Sequence, residues 1–194
     1  MAEIRSSIEI ALERANKISE ITNEEKLNMK YEEEGKKIAV KFFNETDIHF
    51  KELLKNIDPA GLKIYIDGIM DILLRNIILP KEKEQWDAIN RAMEGIAELK
   101  GSSAQNVMMQ LRQFLSSYEE TKNGYYEQLK MQFEAKLPGI QEMVAQQYGQ
   151  SMSSKMTIEA IPQFQQEWTK LSTEINNQFI QKINQIKEYL KNLP

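Results

Sequence analysis

The sequence predicts an all-α fold, a bundle of about six to eight helices that ends in a long antiparallel helical hairpin. Three observations carry this. Helix breakers are scarce, with 8 Gly and 5 Pro in 194 residues, while the strong helix formers Glu, Lys, Leu, Gln, Ala and Met dominate. Apolar residues recur at spacings of three and four along most of the chain, the period of an amphipathic helix. No stretch alternates in the manner of a half-buried strand.

Residues 4–21 set Ile4, Ile8, Ala11, Leu12, Ala15 and Ile18 on one helical face. A second helix begins at Thr22 or Asn23, either of which can cap free N–H groups, with Glu24 and Glu25 at the positive end of its dipole. It runs through Leu27, Tyr31, Ile38, Phe42 and Phe43. Asp47 is placed to cap a short third helix carrying Phe50, Leu53, Leu54 and Ile57. Asp58-Pro59 reads as a helix start, because proline lacks an N–H that the first turn would leave unused. The helix that follows, to about residue 79, is the most apolar in the chain and is expected at the centre of the fold. Its Lys63, Asp67, Asp71 and Arg75 recur every four positions as one polar stripe of opposite charges.

Pro80 breaks that run, and residues 82–100 form an amphipathic helix using Trp86, Ile89, Met93, Ile96 and Leu99, stopped by a left-handed Gly101. Ser102 or Ser103 is expected to cap the next helix. It shows Val107, Leu111, Phe114, Tyr118, Tyr125, Leu129, Phe133 and Leu137, with Asn123-Gly124 as a possible break and Pro138-Gly139 as its end. A short helix over residues 140–148 and a Gly/Ser/Gln loop over 149–154 follow. After Ile161-Pro162 the seam is clearest, through Phe164, Trp168, Leu171, Ile175, Phe179, Ile183, Ile186, Leu190 and Leu193. It is a heptad pattern with one stutter, on a helix of roughly 45–50 Å. Folding back on the helix that starts near Ser103 would form the hairpin.

A length of 194 residues suits one domain with a sizeable core. Its two parts differ: residues 1–100 hold 20 Asp+Glu and 16 Lys+Arg with one Gln, whereas residues 101–194 hold 9 and 9 with fifteen Gln. Cys 0 removes disulfides and thiol chemistry and fits a reducing cytoplasm. A net charge of −4 without a basic block shows no nucleic-acid footprint. Four charges within residues 62–79 argue against a transmembrane segment.

Catalytic, cofactor-binding and metal-binding residues are predicted to be none. His49, the only histidine, lies four residues after Glu45 but is read as a surface or cap residue. Glu32, Glu33 and Glu34 fan out by 100° steps around a helix and form a solvated face. Asp67 and Asp71 are the more serious acidic pair, since their helix is otherwise apolar; pairing with Lys63 and Arg75 is preferred over ligand binding. Phe164, Trp168, Phe179 and Tyr125-Tyr126 are assigned to core packing, and Met108, Met109, Met131, Met143, Met152 and Met156 to gap filling. Ser151, Ser153 and Ser154 have no base nearby in sequence.

The opening residues 3–15, Glu-Ile-Arg-Ser-Ser-Ile-Glu-Ile-Ala-Leu-Glu-Arg-Ala, with the Glu24-Glu25-Lys26 restart, resemble the start of an uncharacterised bacterial helical family. The resemblance implies a cytosolic protein of unassigned activity and brings no site residues. The expected function is a non-enzymatic helical module for protein–protein contact or self-association, motivated by the seam from Ile161 to Leu193. The alternative is an amphipathic helical protein held at a membrane or granule surface, which its lack of basic polar faces disfavours.

Overall fold

The computed structural model describes residues 22–45, 47–150 and 156–193. These form seven α-helices and one 3₁₀ turn, with no strand among the described residues. The segment expected as a first helix, residues 4–21, lies outside them, as does most of the 149–154 loop.

Helix α1 (Asn23–Asn44) opens with a complete capping box. The Thr22 hydroxyl accepts from the Glu25 N–H at 3.1 Å, and the Glu25 carboxylate accepts from the Thr22 N–H at 2.7 Å. The one-turn helix α2 (Phe50–Leu53) and the following turn then carry the chain back, so that α3 (Leu62–Arg75) runs parallel to α1. Tyr31 packs on Gly61, Gly35 on Tyr65, and Lys36 reaches Asp71, numbers that rise together on both helices, while Gly68 makes the reciprocal contact with Glu32. The contact is glycine-mediated at both ends: a Cβ at Gly35 would clash with the Tyr65 carbonyl, and one at Gly68 with the Glu32 carbonyl. Neither position tolerates a side chain without the helices moving apart.

Helix α4 (Gln85–Lys100) closes the core. Its Gly95 faces the side chains of Phe50, Leu73 and Phe42, and the rings of Phe42 and Phe50 stack at 4.3 Å. Ile69, Leu73, Ile89 and Ile96 lose all solvent contact there. Arg91 locks this arrangement. Its guanidinium lies 3.6 Å from the centre of the Phe42 ring and donates to the carbonyls of Phe42 and Glu45, which a helix end leaves unpaired.

Helix α5 (Ser102–Glu134) and helix α7 (Pro162–Lys191) form the expected antiparallel hairpin. Phe114 meets Phe179, the Tyr118 hydroxyl donates to Asn176 Oδ1 at 2.8 Å, Tyr126 meets Trp168, and Phe133 meets Phe164. Numbers fall on one helix as they rise on the other. The near half of the hairpin, from Ala104 to Tyr118 and from Ile175 to Leu193, joins the main core. The far half packs on itself around Leu129, Phe133, Ile158, Ile161 and Phe164. Helix α6 (Leu137–Tyr148) lies beside that far half, and none of its described residues is buried.

Several local expectations are corrected. Asp58-Pro59 forms a turn rather than the helix start: Asp58 Oδ1 accepts from Ala60, and α3 begins at Leu62. That helix stops at Arg75, and Ile77 and Leu79 enter the core from the non-helical stretch before Pro80. Asp47 does not cap α2. His49 holds the N-cap position without a side-chain bond, and the Lys51 N–H is taken instead by the Glu98 carboxylate of α4 at 3.1 Å. Neither Ser102 nor Ser103 caps α5; Gly101, at φ 65°, ends one helix and begins the next. Asn123-Gly124 leaves α5 unbroken, since an interior glycine costs only about 1 kcal/mol. Tyr125 is exposed, and Tyr126 takes its place in the seam.

Candidate functional site

The polar stripe of α3 is where the structure concentrates charge. Lys63, Asp67, Asp71 and Arg75 all line a groove of about 1260 Å³ between α3 and the last turns of α7, with Glu32 and Lys36 of α1 at one edge. Beside that stripe runs an apolar row, Leu62, Ile66, Met70 and Leu74, again at four-residue spacing. Leu193 closes the floor from the other side.

The expected ion pairing is half realised. Arg75 reaches Asp71 at 2.8 Å, and Lys36 lies 3.9 Å from the same carboxylate while also holding Glu32. Lys63 and Asp67 do not pair; both are exposed, so the idea of a buried carboxylate couple is set aside for Asp67. Asp71 is 39% exposed. Water therefore screens the whole stripe.

Three basic residues that sequence reasoning passed over complete the groove. The Lys100 ammonium donates to the Leu193 carbonyl, tying α4 to the end of the chain's last described turn. Lys187 and Lys191 stand one turn apart on α7 and face the groove. Lys187 is half-buried, and that burial pushes its amine below the usual lysine value. Lys63, Lys187 and Lys191 have no ion-pair partner among the described residues. The lining holds six basic and four acidic side chains, in a chain whose net charge is −4. The readable signal was Lys187 and Lys191 flanking the seam residues Ile186 and Leu190 at helical spacing.

The other candidates fall as follows. His49 is 65% exposed, with Nδ1 3.6 Å from a Glu98 oxygen, and Glu45 lies at the end of α1. No group of His, Asp and Glu able to hold a metal ion occurs among the described residues. Glu32 pairs with Lys36, Glu33 with Lys37, and Glu34 accepts from the Tyr65 hydroxyl, so the three carboxylates diverge. That hydrogen bond, followed by burial, pushes the Tyr65 phenol up to about 12. Phe164, Trp168 and Phe179 are packed among other rings. The methionines divide. Met108 is buried and Met156 packs on the far cluster, but Met109, Met131 and Met143 are about 60% exposed and fill no gap. Met152, Ser151, Ser153 and Ser154 lie outside the described residues.

No described helix is long and apolar enough to cross a membrane. No curated protein and no solved structure matches the chain. A family model does match, over residues 51–192, which takes in the groove's α3 and α7 walls but not the opening residues that carried the resemblance. The chain belongs to that family, a family of unknown function designated DUF6657.

Proposed function

We propose that the protein is a non-enzymatic helical interaction module of the bacterial cytosol, and that it works by holding another protein. The observation that carries this reading is the groove, where a row of apolar side chains on α3 lies beside lysines that have no carboxylate partner among the described residues. Such a surface offers apolar contact and charge selection together, the usual make-up of a recognition site. The heptad seam does not support self-association in the way the sequence invites. Its residues pack against α5 and the main core within one chain. The test is recovery of partners by the tagged full chain after cross-linking in cells, with its mass measured by light scattering in parallel. A stoichiometric, reproducible partner supports the reading; a monomer that recovers nothing contradicts it.

A second reading is supported by α6. This helix carries one charged residue, Glu142, shows no buried described residue, and leaves Met143 64% exposed. An apolar surface of that kind suits the edge of a lipid or granule interface. Flotation with liposomes tests it: co-migration that depends on Ile140 and Met143 supports it, and absence of co-migration removes it.

A further inference from the structure

The groove restricts what its occupant can be. From Leu62 to Arg75, α3 gives it a wall of roughly 20 Å at 1.5 Å per residue. A volume of about 1260 Å³ over that length leaves a mean cross-section near 60 Å². It accepts one face of a helix about 10 Å across. The row Leu62, Ile66, Met70 and Leu74 is an i, i+4 ridge, the feature that a second helix packs against. Met70 and Leu74 are buried at its base, whereas Leu62 and Ile66 remain half-exposed and available.

Charge sets the sign of the occupant. Glu32 and Asp71 are already engaged by Lys36 and Arg75. What remains on the walls is Lys63, Lys187 and Lys191 against Asp67 and Glu188, with Lys187 partly withdrawn from water. A partly desolvated ammonium with no carboxylate partner among the described residues gains most from an incoming anion.

We propose that this groove docks an acidic amphipathic helix of a protein partner, its apolar edge along the α3 ridge and its carboxylates on Lys63, Lys187 and Lys191. The proposal rests on the interaction reading above and deepens it.

The test uses the full chain and two synthetic helical peptides of about 18 residues, long enough to span the groove. Both carry leucine at i, i+3, i+4 and i+7; one carries glutamate on its flanks, the other lysine. Fluorescence anisotropy is expected to show the glutamate peptide binding at least about tenfold more tightly, with affinity falling as salt is raised. Lys63→Gln, Lys187→Gln and Lys191→Gln together are expected to weaken it about tenfold, while circular dichroism stays unchanged. The corresponding Glu substitutions provide a second, stronger variant. Equal affinity for both peptides, no binding below about 1 mM, or affinity unchanged in both variants overturns the proposal. Phosphatidylserine vesicles bound through the same lysines in place of the peptide also overturn it, in favour of a lipid surface. A Gln variant that still recovers its cellular partner at wild-type yield overturns the groove and leaves the interaction reading standing.

Discussion

Gly35 of α1 rests against the backbone carbonyl of Tyr65 on α3, closely enough that no side chain fits between them. The reciprocal contact of Gly68 with the Glu32 carbonyl fixes the spacing of the two helices whose outer faces form the groove. Backbone, unlike a flexible side chain, has little room to give.

Glycine-to-alanine changes therefore have opposite effects at two positions. Gly35→Ala gains about 1 kcal/mol of helix propensity but forces the helices apart at a cost of about 3 kcal/mol, so the melting temperature drops by several degrees. Gly124→Ala meets nothing within 4 Å on a continuous helix and raises the melting temperature by a few degrees. Calorimetry on the two variants checks the pair; a stabilised Gly35→Ala would contradict the close approach.

Tyr65 supplies a pH dependence. Its phenol is held up to about 12 because the hydroxyl donates to Glu34, so folding favours the neutral form. The contribution is whole below pH 10, the ordinary tyrosine value, and is lost as pH rises from there through about 12. Ultraviolet titration is expected to show a late-ionising tyrosine that Tyr65→Phe removes. Loss of a phenol that ionises near the ordinary value of 10, with the late phase left intact, would refute the bond.

Arg91 is predicted to resist replacement even by lysine. An ammonium at that position would keep the charge but lose the planar fork that serves the part-buried Phe42 carbonyl and the exposed Glu45 carbonyl together. Arg91→Lys is expected to cost about 1–2 kcal/mol, read from urea denaturation midpoints. A midpoint equal to that of the parent would show the clamp to be idle.

The far half of the hairpin should open before the bundle does, because it depends on a small separate cluster. Phe164→Ala removes about 3–5 kcal/mol of local packing. Hydrogen exchange is expected to speed up over residues 122–134 and 161–172 and to leave the amides around Leu73 and Ile96 unchanged. Equal acceleration in both regions would mean that the two clusters unfold as one.

What could be read in the sequence was what is local or periodic. The Thr22 cap and Glu25 lie only three positions apart, and the seam from Ile161 to Leu193 repeats often enough to define a face. What escaped it lies across the fold. Glu98 serves the N-terminus of α2 from a position 47 residues away, so Asp47 looked like the better cap. Gly35 gives no sign of its role until Tyr65 is beside it. The choice between Tyr125 and Tyr126 depends on the exact phase of α5 where the seam drifts. The groove was half legible: the α3 stripe stood out as charges on an apolar helix, whereas Lys187 and Lys191 acquire meaning only when α7 returns to α3.

The intramolecular hairpin underlies all of this, and the absence of cysteine makes it directly measurable. Spin labels at Gln128→Cys and Gln166→Cys, both exposed, sit opposite each other if α7 folds back on α5. Pulsed dipolar spectroscopy is predicted to give a short, narrow distance that survives dilution with unlabelled protein. The pair Gln128→Cys and Asn184→Cys should read longer, since eighteen helical residues span roughly 27 Å. A broad distance for the first pair, or one that vanishes on dilution, would show the seam to be unpaired or satisfied between chains.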